Sequence, residues 1–190
     1  MTTTAPPPRK VWTEQEIQAL PDDGYNHEIV DGELVMSPKN NWQHGDICAR
    51  LLSAMHAHVR AHRLGAVFDS STRFWVANRN CRAPDISFVA RERLLGLDRR
   101  APCFIQGAPD LAVEVLSPDL TRRELDARLR DFFASGTRLA WVIDPGREFV
   151  EVCHSPVQRG LVPAGGALDG EDVLPGFAFR IADLFTEWDW

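Results

Sequence analysis

Apolar residues at helical spacing, Ile47, Leu51, Leu52, Met55 and Val59, predict the longest helix of the chain over about 41–63, with Gly65 ending it. A second stripe, Leu125, Leu129, Phe132 and Phe133, predicts a helix over 121–135 that stops at Gly136. Thr13 and Glu16 have capping-box spacing and open a short helix that ends before Pro21. Strand signals fill the intervals. Residues 25–30 and 33–36 flank Asp31-Gly32 and read as a hairpin halted by Ser37-Pro38. Residues 66–76 read as a strand pair or one bent strand, and 84–89 as a strand, followed by a helical turn over 91–97. Residues 111–116 form the most apolar strand, which belongs at the centre of a sheet. Residues 139–143 form another, stopped by Asp144-Pro145-Gly146 and paired with 148–154. The tail carries Leu174-Pro175-Gly176-Phe177 and a final turn over 182–185.

This order predicts one α/β domain over residues 11–190, a mixed central sheet with helices on both sides, behind a leader over residues 1–10. The 190 residues suffice for one proper core, and neither repeats nor a linker divide them. No apolar run approaches the ~18 residues that span a bilayer. The first ten residues lack the apolar stretch of a secretory signal. Four scattered cysteines, without a Cys-x-x-Cys pair, fit reduced, buried or half-buried thiols, and a cytoplasmic protein is the expectation. The net charge of −6 argues against a tight sequence-independent nucleic-acid binder, and less against an enzyme meeting phosphates through a metal. Nearly every basic residue is arginine; the lysines are Lys10 and Lys39.

Two acids in apolar strands change the picture. Glu114 stands within Leu111-Ala112-Val113-Glu114-Val115-Leu116, and Asp85 enters Ile86-Ser87-Phe88-Val89. A buried carboxylate costs several kcal/mol unless it is paired, protonated or bound to a metal. Strand periodicity sets Leu111, Val113 and Val115 on one face and Ala112, Glu114 and Leu116 on the other. Magnesium takes one or two carboxylates plus waters and phosphate oxygens, which Asp85 and Glu114 could supply together. An arginine satisfying an acid at a strand edge explains the same residues equally well.

Taken in order, Glu28-Ile29-Val30-Asp31-Gly32-Glu33, His44 opening a helix, Pro84-Asp85, Asp110 to Pro118, Trp141 to Pro145 and Leu174 to Phe177 resemble the Uma-type family of restriction endonucleases within the PD-(D/E)xK superfamily. The resemblance runs from about Glu28 to Phe185. It implies a restriction-endonuclease-like core, with the N-terminal hairpin beside it, and magnesium- or manganese-dependent cleavage of DNA. It further implies Asp85 and Glu114 as metal ligands, joined by the main-chain carbonyl of Val115. Glu28 matches an acid at the edge of the family's site, an extra ligand or an orienter. Nucleases of this architecture often pair, so a homodimer is expected.

The superfamily's lysine is missing. Two residues after Glu114 stands Leu116, and the family's alternative position on the following helix is Arg128. Arg128 flanks the apolar stripe, three residues after Leu125, and its charge calls for Glu114 or Asp85. Arginine stays protonated and cannot act as a general base. It can hold Glu114 or neutralise a phosphate. That departure keeps open a catalytically inactive descendant that binds DNA or protein, with Arg128 and Glu114 as a structural ion pair. A hydrolase of another substrate using the same two acids is the third possibility. His58 and His62 have zinc-compatible spacing but lack the glutamate of a His-Glu-x-x-His motif, and read as a solvated helix face. His44 either approaches the site or caps its helix. No glycine-rich phosphate loop is present, so a nucleotide cofactor has no support.

Overall fold

A computed structural model describes residues 10–38, 40–98, 100 and 103–188. The expected leader, Lys10 apart, lies outside them. Six strands build the central sheet in the order β11 (Arg159–Pro163), β10 (Phe149–Cys153), β9 (Leu139–Asp144), β8 (Leu111–Val115), β6 (Ile86–Ala90) and β3 (Gly65–Asp69). Only β8 and β9 run parallel; the other neighbours are antiparallel. The crossover between β8 and β9 is α4 (Arg122–Ala134), which meets the requirement of a parallel pair for a long connection.

The alternation in β8 decides the layers. Leu111, Val113 and Val115 join Ile86, Phe88 and Trp141 against Ile47, Leu51, Met55 and Val59 of α2 (Trp42–His62). Ala112 and Val142, on the opposite face, pack under Leu125, Leu129 and Phe132 of α4. A smaller sheet, β2 (Glu33–Pro38), β1 (Tyr25–Val30), β5 (Cys81–Arg82), β4 (Phe74–Trp75) and β7 (Ile105–Gln106), carries the N-terminal hairpin. Asp31 and Gly32 both have positive φ at its turn, the conformation such a turn demands. The helix α1 (Glu14–Gln18) opens on the Thr13–Glu16 capping box. The short α3 (Arg91–Leu94), α5 (Ala182–Phe185) and the hairpin β12 (Ala167–Asp169) with β13 (Ala178–Arg180) complete the described fold.

Three details depart from the sequence reading. The first hairpin strand pair runs on through Pro38. α2 is capped by Arg63 in the left-handed conformation, φ 56°, two residues before Gly65. Gly65 serves another purpose, since a Cβ there would overlap Val89 O and lie 2.9 Å from Arg91 N. Cys103 is exposed, whereas Cys81 and Cys153 are buried and Cys48 half-buried; all are free thiols.

Candidate active site

The site forms where the carboxyl end of β8 meets the amino end of β6. Ile86 pairs with Val113, so Asp85 stands just ahead of β6, where its carboxylate reaches the backbone of Val115 beside Glu114. Asp85 is held from two sides. Its Oδ2 accepts the Val115 N–H at 2.8 Å and lies 3.1 Å from His44 Nε2. His44 is positioned by the N-cap of α2, where Asn41 accepts its backbone N–H at 3.0 Å. Its Nδ1 lies 3.5 Å from Cys48 Sγ one turn later. Burial, with Asp85 and Glu114 nearby, pushes the Cys48 thiol far up, so it carries its proton. His44 Nε2 also lies 3.0 Å from the side-chain amide nitrogen of Asn40, so this ring nitrogen sits between Asn40 and Asp85.

Glu114 is 4% exposed. Arg128, one helix away on α4, donates from Nη1 to Glu28 Oε1 at 2.9 Å and Glu114 Oε1 at 3.3 Å. Glu28, delivered by β1, is fully engaged: Oε1 also accepts the Ala83 N–H at 2.9 Å, and Oε2 accepts from Arg82 Nη1 at 3.1 Å. Arg82 in turn is clamped by Asp131 of α4, through Nε at 2.8 Å and Nη2 at 2.7 Å. Asn80 Nδ2 adds a 2.9 Å bond to the same Asp131 oxygen. A continuous buried chain of charge thus runs Asp131–Arg82–Glu28–Arg128–Glu114, joining the small sheet, α4 and the central sheet.

The charges do not balance. Were all four acids ionised, Glu28, Asp85, Glu114 and Asp131 would face two arginines, Arg82 and Arg128, and two negative charges would have no arginine to match them. The cost falls on Glu114. Burial raises its carboxyl to about 8, and the neighbouring Asp85 and Glu28 push the same way against Arg128 and Arg82. Glu114 Oε2 and Asp85 Oδ1 accept no hydrogen bond among the described residues. They are the oxygens left to meet a cation. No three His, Cys, Asp or Glu side chains among the described residues form a ready-made metal cage.

The family profile described as "Uma2: Putative restriction endonuclease" matches residues 14–182. The chain belongs to this family. The matched stretch takes in every residue of the charged cluster, from Glu28 to Asp131. A solved structure described as a "putative nuclease belonging to DUF820" from Anabaena variabilis superposes with a TM-score of 0.78 at 22% identity, over 90% of this chain and 96% of that one. The restriction-endonuclease-like fold expected for a Uma2 chain is therefore the fold observed. Among curated proteins, none matches.

Asp85, Glu114, Arg128 and Glu28 converge, and Val115 supplies the N–H that holds Asp85. His44 joins them, whereas His58 and His62 lie elsewhere: His58 Nε2 meets Pro175 O, and His62 Nδ1 meets its own helix at His58 O. Sequence reasoning missed Arg82, Asp131, Asn80 and Cys48. A signal existed for Asp131: it follows Arg128 by three residues, on the same side of α4, next to the apolar Phe132. Arg82 carried none, because its partners stand 54 and 49 residues away in sequence.

Proposed function

We propose that this Uma2 protein cleaves DNA phosphodiester bonds with a magnesium or manganese ion held between Asp85 and Glu114. The observation carrying the reading is the meeting of Asp85 and Glu114 in a cluster of four acids and two arginines, where Glu114 is buried and resists ionisation. A divalent cation would displace the Glu114 proton and offset the two negative charges left once all four acids ionise. The donor set suits magnesium, which needs only one or two protein carboxylates and keeps waters and substrate phosphate for its other positions. Bound there, the ion would supply Lewis-acid activation of water and of the phosphate, with the carbonyl of Val115 a candidate third protein oxygen.

The chain's own residues prepare the site. The Val115 N–H and the His44 ring fix the rotamer of Asp85. Glu28, with both oxygens engaged, acts as an orienter: it holds Arg128 against Glu114 and is itself held by Arg82. Arg128 supplies fixed positive charge beside the acids, where a phosphate would approach. It stays protonated throughout, so it stabilises charge and transfers no proton. Leu116 leaves the position of the superfamily lysine without proton chemistry.

One observation favours a second reading, a non-catalytic nuclease fold: Arg128 already bridges Glu28 and Glu114 as a structural ion pair. Plasmid nicking separates the two. The nuclease reading expects nicking that requires magnesium or manganese and disappears in Asp85→Asn and Glu114→Gln. Wild-type protein that neither nicks DNA nor binds manganese by calorimetry would leave the second reading standing.

A further inference from the structure

The acidic centre occupies one end of α2 and β6. At their other end a cavity of about 600 Å³ opens beside the edge strand β3, lined by Arg60, Arg63 and Arg91 together with Gly65, Phe68 and Leu94. We propose that this cavity is a phosphate-binding cleft that docks nucleic acid at a distance from the acidic centre. The proposal rests on the nuclease reading in taking nucleic acid as the partner.

Three observations carry it. First, none of these arginines forms an ion pair among the described residues, whereas Arg50, Arg82, Arg93, Arg128 and Arg159 are all paired. Second, Arg63 holds the left-handed C-cap of α2, φ 56°, a position where glycine is the favoured residue and any Cβ is strained. An arginine there is bought at the expense of stability, which points to a use for its side chain. Third, the backbone is built to bring the arginines together. Arg91 N donates to Leu64 O at 2.9 Å, and Gly65 allows the end of α2 to press against Val89 and Arg91.

Charge explains the need. The chain carries −6 overall and its acidic centre carries excess negative charge, so a polyanion requires a separate positive contact. Scale allows one molecule to reach both regions. Six residues along β6 separate Asp85 from Arg91 by about 20 Å at ~3.3 Å each. Sixteen residues along α2 separate His44 from Arg60 by about 24 Å at ~1.5 Å each. At ~3.4 Å between successive phosphates of one strand, that is about six or seven nucleotides.

The test is binding of a labelled 24-base-pair duplex in EDTA, by fluorescence anisotropy across a salt series, with no cleavage involved. Its outcome is thus independent of nicking. The variant Arg60→Gln/Arg63→Gly/Arg91→Gln should bind more weakly, with a log Kd against log salt slope shallower by about 3, near 0.9 per lost phosphate contact. Arg63→Gly alone should raise the melting temperature while weakening duplex binding, a divergence that misfolding cannot produce. Several results would overturn the proposal. One is an unchanged slope in the triple variant, or no duplex binding by the wild type. Another is calorimetric binding of inorganic phosphate without binding of duplex, which would assign the cleft to a free anion. The last is self-association of the triple variant with duplex binding intact, which would make the arginines guards of the β3 edge.

Discussion

Replacing Glu114 by glutamine should make the metal-free protein more stable at alkaline pH while abolishing its metal site. The wild-type carboxyl is raised from its ordinary range to about 8 by burial and by Asp85 and Glu28. Folded protein therefore holds a proton on Glu114 that the unfolded chain releases near pH 4.5. Such a group stabilises the fold fully below the unfolded pKa, and its contribution is lost as pH rises toward the folded one. Between about pH 5 and 8, metal-free wild type should lose up to ~1.4 kcal/mol of stability per pH unit from this single proton. For a chain of this size each kcal/mol moves the melting temperature by about 2–4 °C, so the loss is about 3–6 °C per unit. Glutamine mimics the protonated acid and removes the proton, so Glu114→Gln should show a correspondingly flatter profile. Subtracting the two melting curves, recorded in EDTA from pH 5 to 8, cancels every other titrating group. Magnesium should flatten the wild-type profile and leave the variant unmoved. Parallel profiles for the two proteins would refute the buried, charge-starved carboxylate on which the reasoning stands.

Further expectations follow from the same cluster and from the fold. Arg128→Met leaves Glu28 and Glu114 without their shared partner and should cost about 3–5 kcal/mol in denaturant unfolding, part of it recovered by magnesium. A loss under about 1 kcal/mol would show the pair to be solvated and weak. His44→Ala frees Asp85 and should weaken manganese binding about 10-fold or more, whereas His44→Gln, which can restore an N–H donor, should lie nearer the wild type by calorimetry. Equal affinities would remove His44 from the site. Gly65→Ala drives a methyl into Val89 O and should cost about 3 kcal/mol of stability, read by thermal unfolding; a neutral result would contradict the close approach of α2 to β6.

How much of this was legible beforehand depended on range in sequence. The faces of β8 followed from strict alternation, and the amphipathic stripes of α2 and α4 from helical spacing, so the layers were readable. The convergence of Asp85, Glu114, Arg128 and Glu28 was named through family resemblance, because spacing alone leaves an acid beside a strand ambiguous. Of the small sheet the hairpin of β1 and β2 was readable and the rest was not: β4, β5 and β7 have two residues each, and pairings that short carry no period. β11 escaped because Gly160 and Pro163 interrupt Arg159–Pro163, features an edge strand tolerates. The C-cap at Arg63 went to Gly65 because glycine is the ordinary left-handed cap, and nothing local marks an arginine that takes the strain instead. Arg82 and Asp131 lie beyond any local rule, since their pairing exists only once α4 is laid over the small sheet.

The central claim is that one hard divalent cation belongs between Asp85 and Glu114. Anomalous diffraction at the manganese absorption edge, from crystals of the wild-type protein soaked in manganese, tests it most directly. The account predicts a single strong peak within coordination distance of both carboxylates. A manganese-saturated crystal with no peak there, or with Arg128 still seated across an unliganded Glu114, would contradict it.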